Sequence, residues 1–237
     1  MSDFRARSVW ALLTLCLCAS FVPASAMAKP PPPNPVLLVH GFKDDARKME
    51  PMARYLRSQG WDARAMTCSP SWGQQGLDAL AAQVARFVEE NYPAHQKIDL
   101  VGFSMGGLVC RYYLQRLGGL ERVQRFVSIS APHQGSMVAW LVSNPGCRQM
   151  RPGSEFLRDL ATDAHRLGEI EFTSFWTPYD TIILPPRSSE MAEARNVKVQ
   201  IACHPMMVWQ KSCMAAVAEA LRGKSAARVS TVLAASN

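Results

Sequence analysis

Length, composition and charge narrow the class of protein before any motif is considered. The chain has 237 residues, 48% of them hydrophobic, so it can bury a sizeable core and general disorder is excluded. No apolar run reaches the roughly 18 to 20 residues of a membrane-spanning helix, so no transmembrane segment is expected in the mature chain. The net charge of +7 is spread along the chain without a basic stripe, so nucleic-acid binding is not expected.

Residues 1–28 follow the three-part layout of a secretory signal peptide. Two arginines give a positive start, residues 9–22 are almost wholly apolar, and small residues surround the expected cleavage sites after Ala26 or Ala28. A lipoprotein signal is the alternative, but both cysteines in this stretch follow Leu, where a small residue would be needed. The protein is therefore expected to be secreted or periplasmic.

Strands and helices alternate along residues 29–222, which predicts one α/β domain. Strands are predicted at 36–39, 61–67, 98–101, 123–129, 170–176 and 197–201, and helices at 48–58, 77–91, 108–117 and 206–221. Residues 36–39 are a short, continuous apolar run, which suits a strand buried on both faces of a parallel sheet. The sequence thus predicts a doubly wound, mostly parallel sheet of about six strands. Residues 133–169, after the fourth strand, are expected to form a small cap, and residues 223–237 a flexible tail.

Five cysteines lie outside the predicted signal peptide: Cys68, Cys110, Cys147, Cys203 and Cys213. Five is odd, so at least one is unpaired within the chain, and the pairing of the others cannot be deduced from spacing. Cys110 falls on an apolar helix and is expected to be a buried thiol. Neither zinc-ligand spacing nor an Asp-rich calcium loop occurs, so no metal and no cofactor are expected.

Residues 102–106 read Gly-Phe-Ser-Met-Gly, a G-x-S-x-G motif. The motif follows a buried strand and opens a helix, which is the strand-turn-helix setting that a nucleophilic serine requires. Such a turn presents Ser104 at the carboxyl edge of the sheet, and the helix N-terminus behind it supplies amides to a developing oxyanion. Ser104 is therefore the predicted nucleophile.

The first strand is followed directly by His40-Gly41-Phe42. With the serine motif, this resembles the α/β-hydrolase superfamily, and within it the small secreted bacterial lipases and esterases of the triacylglycerol lipase type. The resemblance extends from about residue 36 to about residue 221. It implies an oxyanion hole formed by the backbone N–H groups of Phe42 and Met105, with His40 beside the site holding the loop.

The base must be one of five histidines, and the family order of serine, acid and then histidine leaves three. His204 directly follows the last predicted strand, where this fold delivers its base, and is the predicted base. His133 lies in a segment similar to one of the lipase branch whose histidine lies near the site without acting as base. His165 has no strand beside it. The neighbours of His204 depart from the family pattern, because Cys203 replaces the usual glycine.

The acid is expected after the penultimate strand. Asp180 lies there, in a segment that resembles the lipase branch, with apolar residues and a proline following the aspartate. Asp159 and Asp163 are rivals in a polar part of the predicted cap, and Asp99 precedes the serine motif. Asp180 is therefore the predicted acid, which completes a Ser104-Asp180-His204 triad.

These residues predict hydrolysis of carboxylic esters through an acyl-enzyme. The expected substrate is a lipid or another acyl ester, with transient contact to a lipid interface. An acyltransferase or thioesterase would use the same triad; a serine peptidase and a non-catalytic binding protein are further alternatives. Apolar loop residues could line an acyl site or belong to the core: Phe42, Trp72, Met105, Met137, Trp140, Met191, Met206 and Met207.

Overall fold

The computed structural model describes residues 33–223. The predicted signal peptide (1–28) and residues 224–237 of the predicted tail lie outside the described residues. Within the described range, no helix is long and apolar enough to cross a membrane.

The centre of the described fold is a six-stranded sheet in which every neighbouring pair of strands is parallel. The strands are β1 (Val36–Val39), β2 (Ala63–Met66), β3 (Ile98–Phe103), β4 (Val123–Ile129), β5 (Glu171–Trp176) and β6 (Arg195–Lys198). Their order across the sheet is β2-β1-β3-β4-β5-β6. Each connection between neighbouring parallel strands has to cross over the sheet, so the chain must run through helices or long loops. The predicted parallel α/β fold is confirmed.

Seven α-helices accompany the sheet in residues 33–223, together with shorter 3₁₀ helices. They are α1 (Ala46–Ser58), α2 (Leu77–Asn91), α3 (Met105–Arg116), α4 (Gly119–Arg122), α5 (Pro145–Gln149), α6 (Glu155–Ala161) and α7 (Lys211–Leu221). Side chains of β1 point alternately to two hydrophobic cores. Leu37 and Val39 pack with α2 and α3, whereas Val36 and Leu38 pack with α1 and α7. This alternation, the period of a strand, explains why β1 is apolar at every position.

The sixth strand, Arg195–Lys198, begins two residues and ends three residues earlier than the predicted 197–201. It is an edge strand that pairs only with β5, and its side chains alternate between half-buried and exposed. The apolar residues that prompted the prediction, Val199 and Ile201, are buried by the connection that follows the strand. The prediction of this strand from apolar content alone was therefore wrong in its bounds, because the apolar residues belong to the connection after an edge strand.

The last helix begins later than predicted, at Lys211 in place of residue 206. Residues His204–Val208 form a separate 3₁₀ helix, with proline near its start. Gln210 is extended between the two helices, with φ −77° and ψ 127°. The break lets the His204 segment lie across the end of the sheet while α7 packs along its face.

The segment predicted as a cap has two different parts. A 3₁₀ helix at Met137–Leu141 and α5 border the region of Ser104, whereas α6 and the following 3₁₀ helix pack beside α3. Each of the five cysteines in the described range is a free thiol, and Cys110 is fully buried, as expected for its apolar helix.

Candidate active site

Ser104 lies between β3 and α3, at the carboxyl edge of the sheet. Its backbone has φ 53° and ψ −125°, a conformation that residues with a Cβ rarely adopt. The strand before it and the helix after it hold this strained turn, with the Ser104 N–H donating to the Ile129 carbonyl at 2.8 Å. Strain of this kind persists only where the surroundings enforce it and is typical of a nucleophile elbow.

Glycines make the elbow sterically feasible. A Cβ placed on Gly106 would lie 2.3 Å from the carbonyl oxygen of His40, and one placed on Gly107 would lie 2.3 Å from the Ala131 Cβ. Both distances are far inside van der Waals contact. The helix can therefore approach the neighbouring strands closely only because these side chains are missing.

We expect Gly106→Ala to destabilise the fold by at least about 2 kcal/mol, because the obstructing atoms belong to the backbone and cannot rotate away. Gly168→Ala is the matched control, since a Cβ on Gly168 meets nothing within 4 Å. Thermal unfolding of both variants measures the difference. Equal melting temperatures for the two variants would contradict the close approach described here.

Asp180 and His204 form a buried hydrogen-bonded pair at the same edge. The His204 Nδ1 lies 2.7 Å from the Asp180 Oδ2, and both side chains are almost completely buried. The other carboxylate oxygen accepts from the amides of Ile182 and Ile183, each at 2.9 Å. Although burial acts to raise the pKa of Asp180, its bond and charge interaction with His204 and the two amides outweigh burial and lower that pKa. An ionised Asp180 fixes the proton of His204 on Nδ1 and leaves Nε2 as the basic nitrogen.

The pair lies beside the elbow. The ring of His204 is 4.8 Å from the ring of Phe103, the residue directly before Ser104. Ser104, Asp180 and His204 therefore come from three connections that follow β3, β5 and β6, which a parallel sheet delivers to one edge.

The loop after β1 lies against the elbow. A Cβ on Gly41 would be 3.0 Å from the Ser104 Cβ, so a side chain here would press on the nucleophile. In the range 33–223, neither the Phe42 amide nor the Met105 amide donates a hydrogen bond to another residue. Two unpaired amides next to a serine are the donors that an oxyanion hole requires.

His40 is occupied with holding that loop. The Cys68 amide donates to the His40 Nε2 at 2.9 Å, so the Nδ1 carries the proton and donates to the Gly41 carbonyl at 2.8 Å. Both ring nitrogens are used, and the residue is 1% exposed. His40 thus supports the loop and has no nitrogen left for proton transfer.

His133 is buried behind the elbow. Its Nε2 lies 2.9 Å from the Ser128 Oγ, which itself donates to the Ser174 Oγ, so the Nε2 is the donor. Within the described chain its Nδ1 has no hydrogen-bond partner. Burial, together with the positive charge of Arg111, holds the pKa of His133 well below its ordinary value. His133 is therefore a neutral packing residue in this position.

The rival residues lie elsewhere. Asp159 and Asp163 both pair with Arg116 of α3, at 2.9 and 2.8 Å. Asp99 lies at the opposite end of β3, where it accepts from Arg125 at 3.3 Å, and His165 is exposed. None of these side chains belongs to the group around Ser104.

An apolar pocket opens beside Ser104, with a volume of about 450 Å³ including its open mouth. The connections after β1, β4 and β5 supply its walls, the second of them including α5: Phe42, Pro132, Ser136, Val138, Ala139, Val142, Cys147, Met150, Ile182 and Ile183. Of the aromatic and methionine residues considered from sequence, only Phe42 lines it. Met105, Met191 and Met207 belong to the cores, and Trp72, Met137, Trp140 and Met206 are exposed. Most of the wall residues could not be predicted from sequence motifs, because they come from segments that are distant along the chain.

Asp44 is a second carboxylate at this edge that sequence reasoning missed. A Cβ on Gly41 would lie 3.4 Å from its Oδ2, which places the carboxylate on the loop that faces Ser104. Burial raises the pKa of Asp44, and the nearby positive charge of Lys48 partly opposes this. Its position in the loop that follows β1, four residues after His40, could have predicted that it lies near the site.

Comparison with known proteins identifies relatives at two levels. The chain is 30% identical over 135 residues to the lysosomal thioesterase PPT2 of Mus musculus, a match that covers 55% of this chain and 44% of that protein. The chain thus spans less than half the length of this curated relative. Among solved structures, Aspergillus fumigatus lipase B superposes with a TM-score of 0.72 at 19% identity, covering 85% of this chain and 56% of that one. The mature lipase BlEst2 of Bacillus licheniformis gives 0.63 at 18% identity, covering 75% and 87%.

The structural neighbours confirm the predicted α/β-hydrolase fold. The family model for palmitoyl protein thioesterase matches residues 35–164. That range contains the His40 loop and the Ser104 elbow but ends before Asp180 and His204. Because the match extends over more than half of the chain, the protein belongs to the palmitoyl protein thioesterase family of α/β-hydrolases.

Proposed function

We propose that this protein is an acyl-thioester hydrolase that works through a Ser104-Asp180-His204 triad. The observation that carries the proposal is the buried pair of Asp180 and His204, joined at 2.7 Å beside the strained Ser104 turn. Family membership favours a thioester over the carboxylic ester that the sequence motifs suggested first. The thioesterase alternative raised from sequence therefore becomes the leading one.

In the acylation step, the Ser104 Oγ attacks the thioester carbonyl carbon while the His204 Nε2 takes the serine proton. Asp180 stabilises the imidazolium that forms. The amides of Phe42 and Met105 donate to the carbonyl oxygen as it becomes negative. The carbon–sulfur bond then breaks, and the imidazolium gives its proton to the leaving sulfur.

In the second step, water attacks the Ser104 ester with the His204 Nε2 as base. The proton returns to the Ser104 Oγ as the carboxylic acid leaves. The acyl chain occupies the apolar pocket throughout, because burying its methylene groups is favourable and the pocket opens directly at Ser104.

Hydrolysis of oxygen esters is the second candidate, favoured by the lipases among the structural neighbours. Both reactions pass through the same acyl-enzyme. When hydrolysis of the acyl-enzyme is the slow step, the thioester and the oxygen ester of one acyl chain have the same kcat. The value of kcat/KM reports acylation and distinguishes them. We expect kcat/KM for a thioester to exceed that for the oxygen ester of the same acyl chain by about tenfold or more, equivalent to ~1.4 kcal/mol. A higher value for the oxygen ester would favour an esterase or lipase.

The length of the acyl chain is set by the pocket, and Val138 tests this. Val138 is half-buried and lines the pocket, so a larger ring can enter the cavity without displacing the core. We expect Val138→Phe to lower kcat/KM for long-chain thioesters about tenfold or more, and to leave acetyl and butyryl thioesters within about threefold. A chain-length series for both proteins measures the change. A uniform loss at all lengths would place the acyl chain elsewhere.

The N-terminal sequence supports a further part of the proposal, that the enzyme acts outside the cytoplasm after cleavage of residues 1–28. Amino-terminal sequencing of the protein recovered from the producing cells would reveal cleavage after Ala26 or Ala28. Recovery of an uncleaved chain in the cytoplasm would contradict it.

A further inference from the structure

The exposed apolar side chains of this protein are concentrated at one edge of the sheet. In residues 33–223, ten large hydrophobic residues are exposed. Nine lie on segments that follow the carboxyl ends of strands: Trp72, Met137, Trp140, Leu141, Tyr179, Ile182, Leu184, Met206 and Trp209. The tenth, Leu117, lies at the other end of α3. Because all strands are parallel, the nine are delivered to the edge that carries Ser104.

Six of these residues form an apolar rim at the mouth of the pocket, namely Trp72, Met137, Trp140, Leu141, Ile182 and Leu184. Their segments are tied together by hydrogen bonds. The Met137 amide donates to the Leu184 carbonyl at 2.9 Å, and the Asn144 side chain donates to the Trp72 carbonyl at 2.7 Å. Ile182 also lines the pocket itself. These hydrogen bonds connect the segments that carry the rim, and its most exposed residue, Leu141, is 81% exposed.

Positive charges lie among the exposed aromatic rings. The Lys43 Nζ is 4.0 Å from the ring centroid of Trp72, and the Arg151 Cζ is 4.3 Å from that of Trp140. The Lys48 Nζ lies 4.3 Å from the ring centroid of Trp209. Asp45, a carboxylate at this edge, pairs with Arg47 at 2.6 Å. Tryptophan rings that carry cations suit the headgroup region of an anionic bilayer, where the ring enters the apolar boundary and the cation meets the phosphates.

We propose that the apolar rim docks on the surface of an anionic phospholipid bilayer, with the pocket mouth facing the lipid. The net charge of +7 adds long-range attraction to such a surface. In this orientation an acyl chain can pass from the bilayer into the pocket without crossing water. That last consequence rests on the proposed function, whereas docking itself does not.

Co-sedimentation of the processed protein, recovered from the producing cells, with phospholipid vesicles tests the docking. Vesicles of phosphatidylcholine with about one third phosphatidylglycerol are compared with phosphatidylcholine alone. We expect Leu141→Asp to need about tenfold more anionic lipid for half-maximal binding, because it places a carboxylate in the docked surface. Leu117→Asp, the same change at the far end of α3, is expected to bind like the wild type. All variants are recovered in the same processed form, so a difference between them reports the apolar rim.

Met137→Asp is a second change on the same rim, used in case Leu141→Asp lowers the melting temperature. Hydrolysis of a short, water-soluble thioester serves as the folding control, since neither residue lines the pocket. Wild-type binding of both rim variants, or equal loss in Leu117→Asp, would overturn the docking proposal. So would equal binding to the two kinds of vesicle, because the proposal requires an anionic surface. Ser104→Ala is expected to bind vesicles like the wild type. Vesicle binding therefore tests the docking proposal and thioester hydrolysis tests the proposed function, each independently of the other.

Discussion

Replacing Ser104 by alanine is expected to lower kcat by a factor of about 10⁴ or more on every acyl substrate, because no other group can form the acyl-enzyme. The substitution keeps the Cβ, so the strained backbone at φ 53° is retained and only the Oγ is removed. The fold should therefore be unaffected. Hydrolysis of a thioester and labelling by a fluorophosphonate probe are the two measurements.

Ser130 provides a closely matched control. It also directly follows a strand, is fully buried and has a positive φ of 46°. Its Oγ has no hydrogen-bond partner among residues 33–223. Ser130→Ala is therefore expected to retain both activity and labelling. Activity that survives in Ser104→Ala would refute the serine mechanism. A wild-type protein without activity or labelling would favour a non-catalytic binding protein.

Replacing Asp180 by asparagine is expected to lower kcat by about 10³–10⁴, through the wrong tautomer of His204. The amides of Ile182 and Ile183 would still hold one side-chain oxygen. The position of the present Oδ2 would then carry an NH₂ group that donates to the His204 Nδ1. The proton of the imidazole would move to Nε2, which could no longer accept the serine proton.

Asp159→Asn is the matched control for this experiment, because Asp159 was a rival from sequence and lies in an exposed ion pair with Arg116. It should change kcat by less than about threefold, since exposed ion pairs contribute little. Steady-state hydrolysis of one thioester by the two variants decides between the carboxylates. A large loss in Asp159→Asn with an active Asp180→Asn would reverse the assignment.

Local patterns predicted those parts of the fold that are determined by neighbours along the chain. Three elements have the bounds that periodicity suggested, at 36–39, 77–91 and 123–129. They are a wholly apolar and buried strand, a strand whose last four residues are buried, and a helix with one regular apolar face. The edge strand and the start of the last helix were misplaced. An edge strand is only half buried, and the break at Gln210 depends on where the His204 segment has to lie.

The candidate site divides in the same way. The sequence by itself determined the superfamily and the elbow at Ser104, because these are encoded in short motifs that follow β1 and β3. The family resemblance added the order of serine, acid and histidine, and with it the predictions of Asp180 and His204. Only the tertiary structure shows these two side chains 2.7 Å apart, assigns both nitrogens of His40 and makes His133 a buried neutral residue. It also built the pocket and the apolar rim from separate connections. These features depend on desolvation and on contacts between distant segments, which a linear sequence pattern does not record.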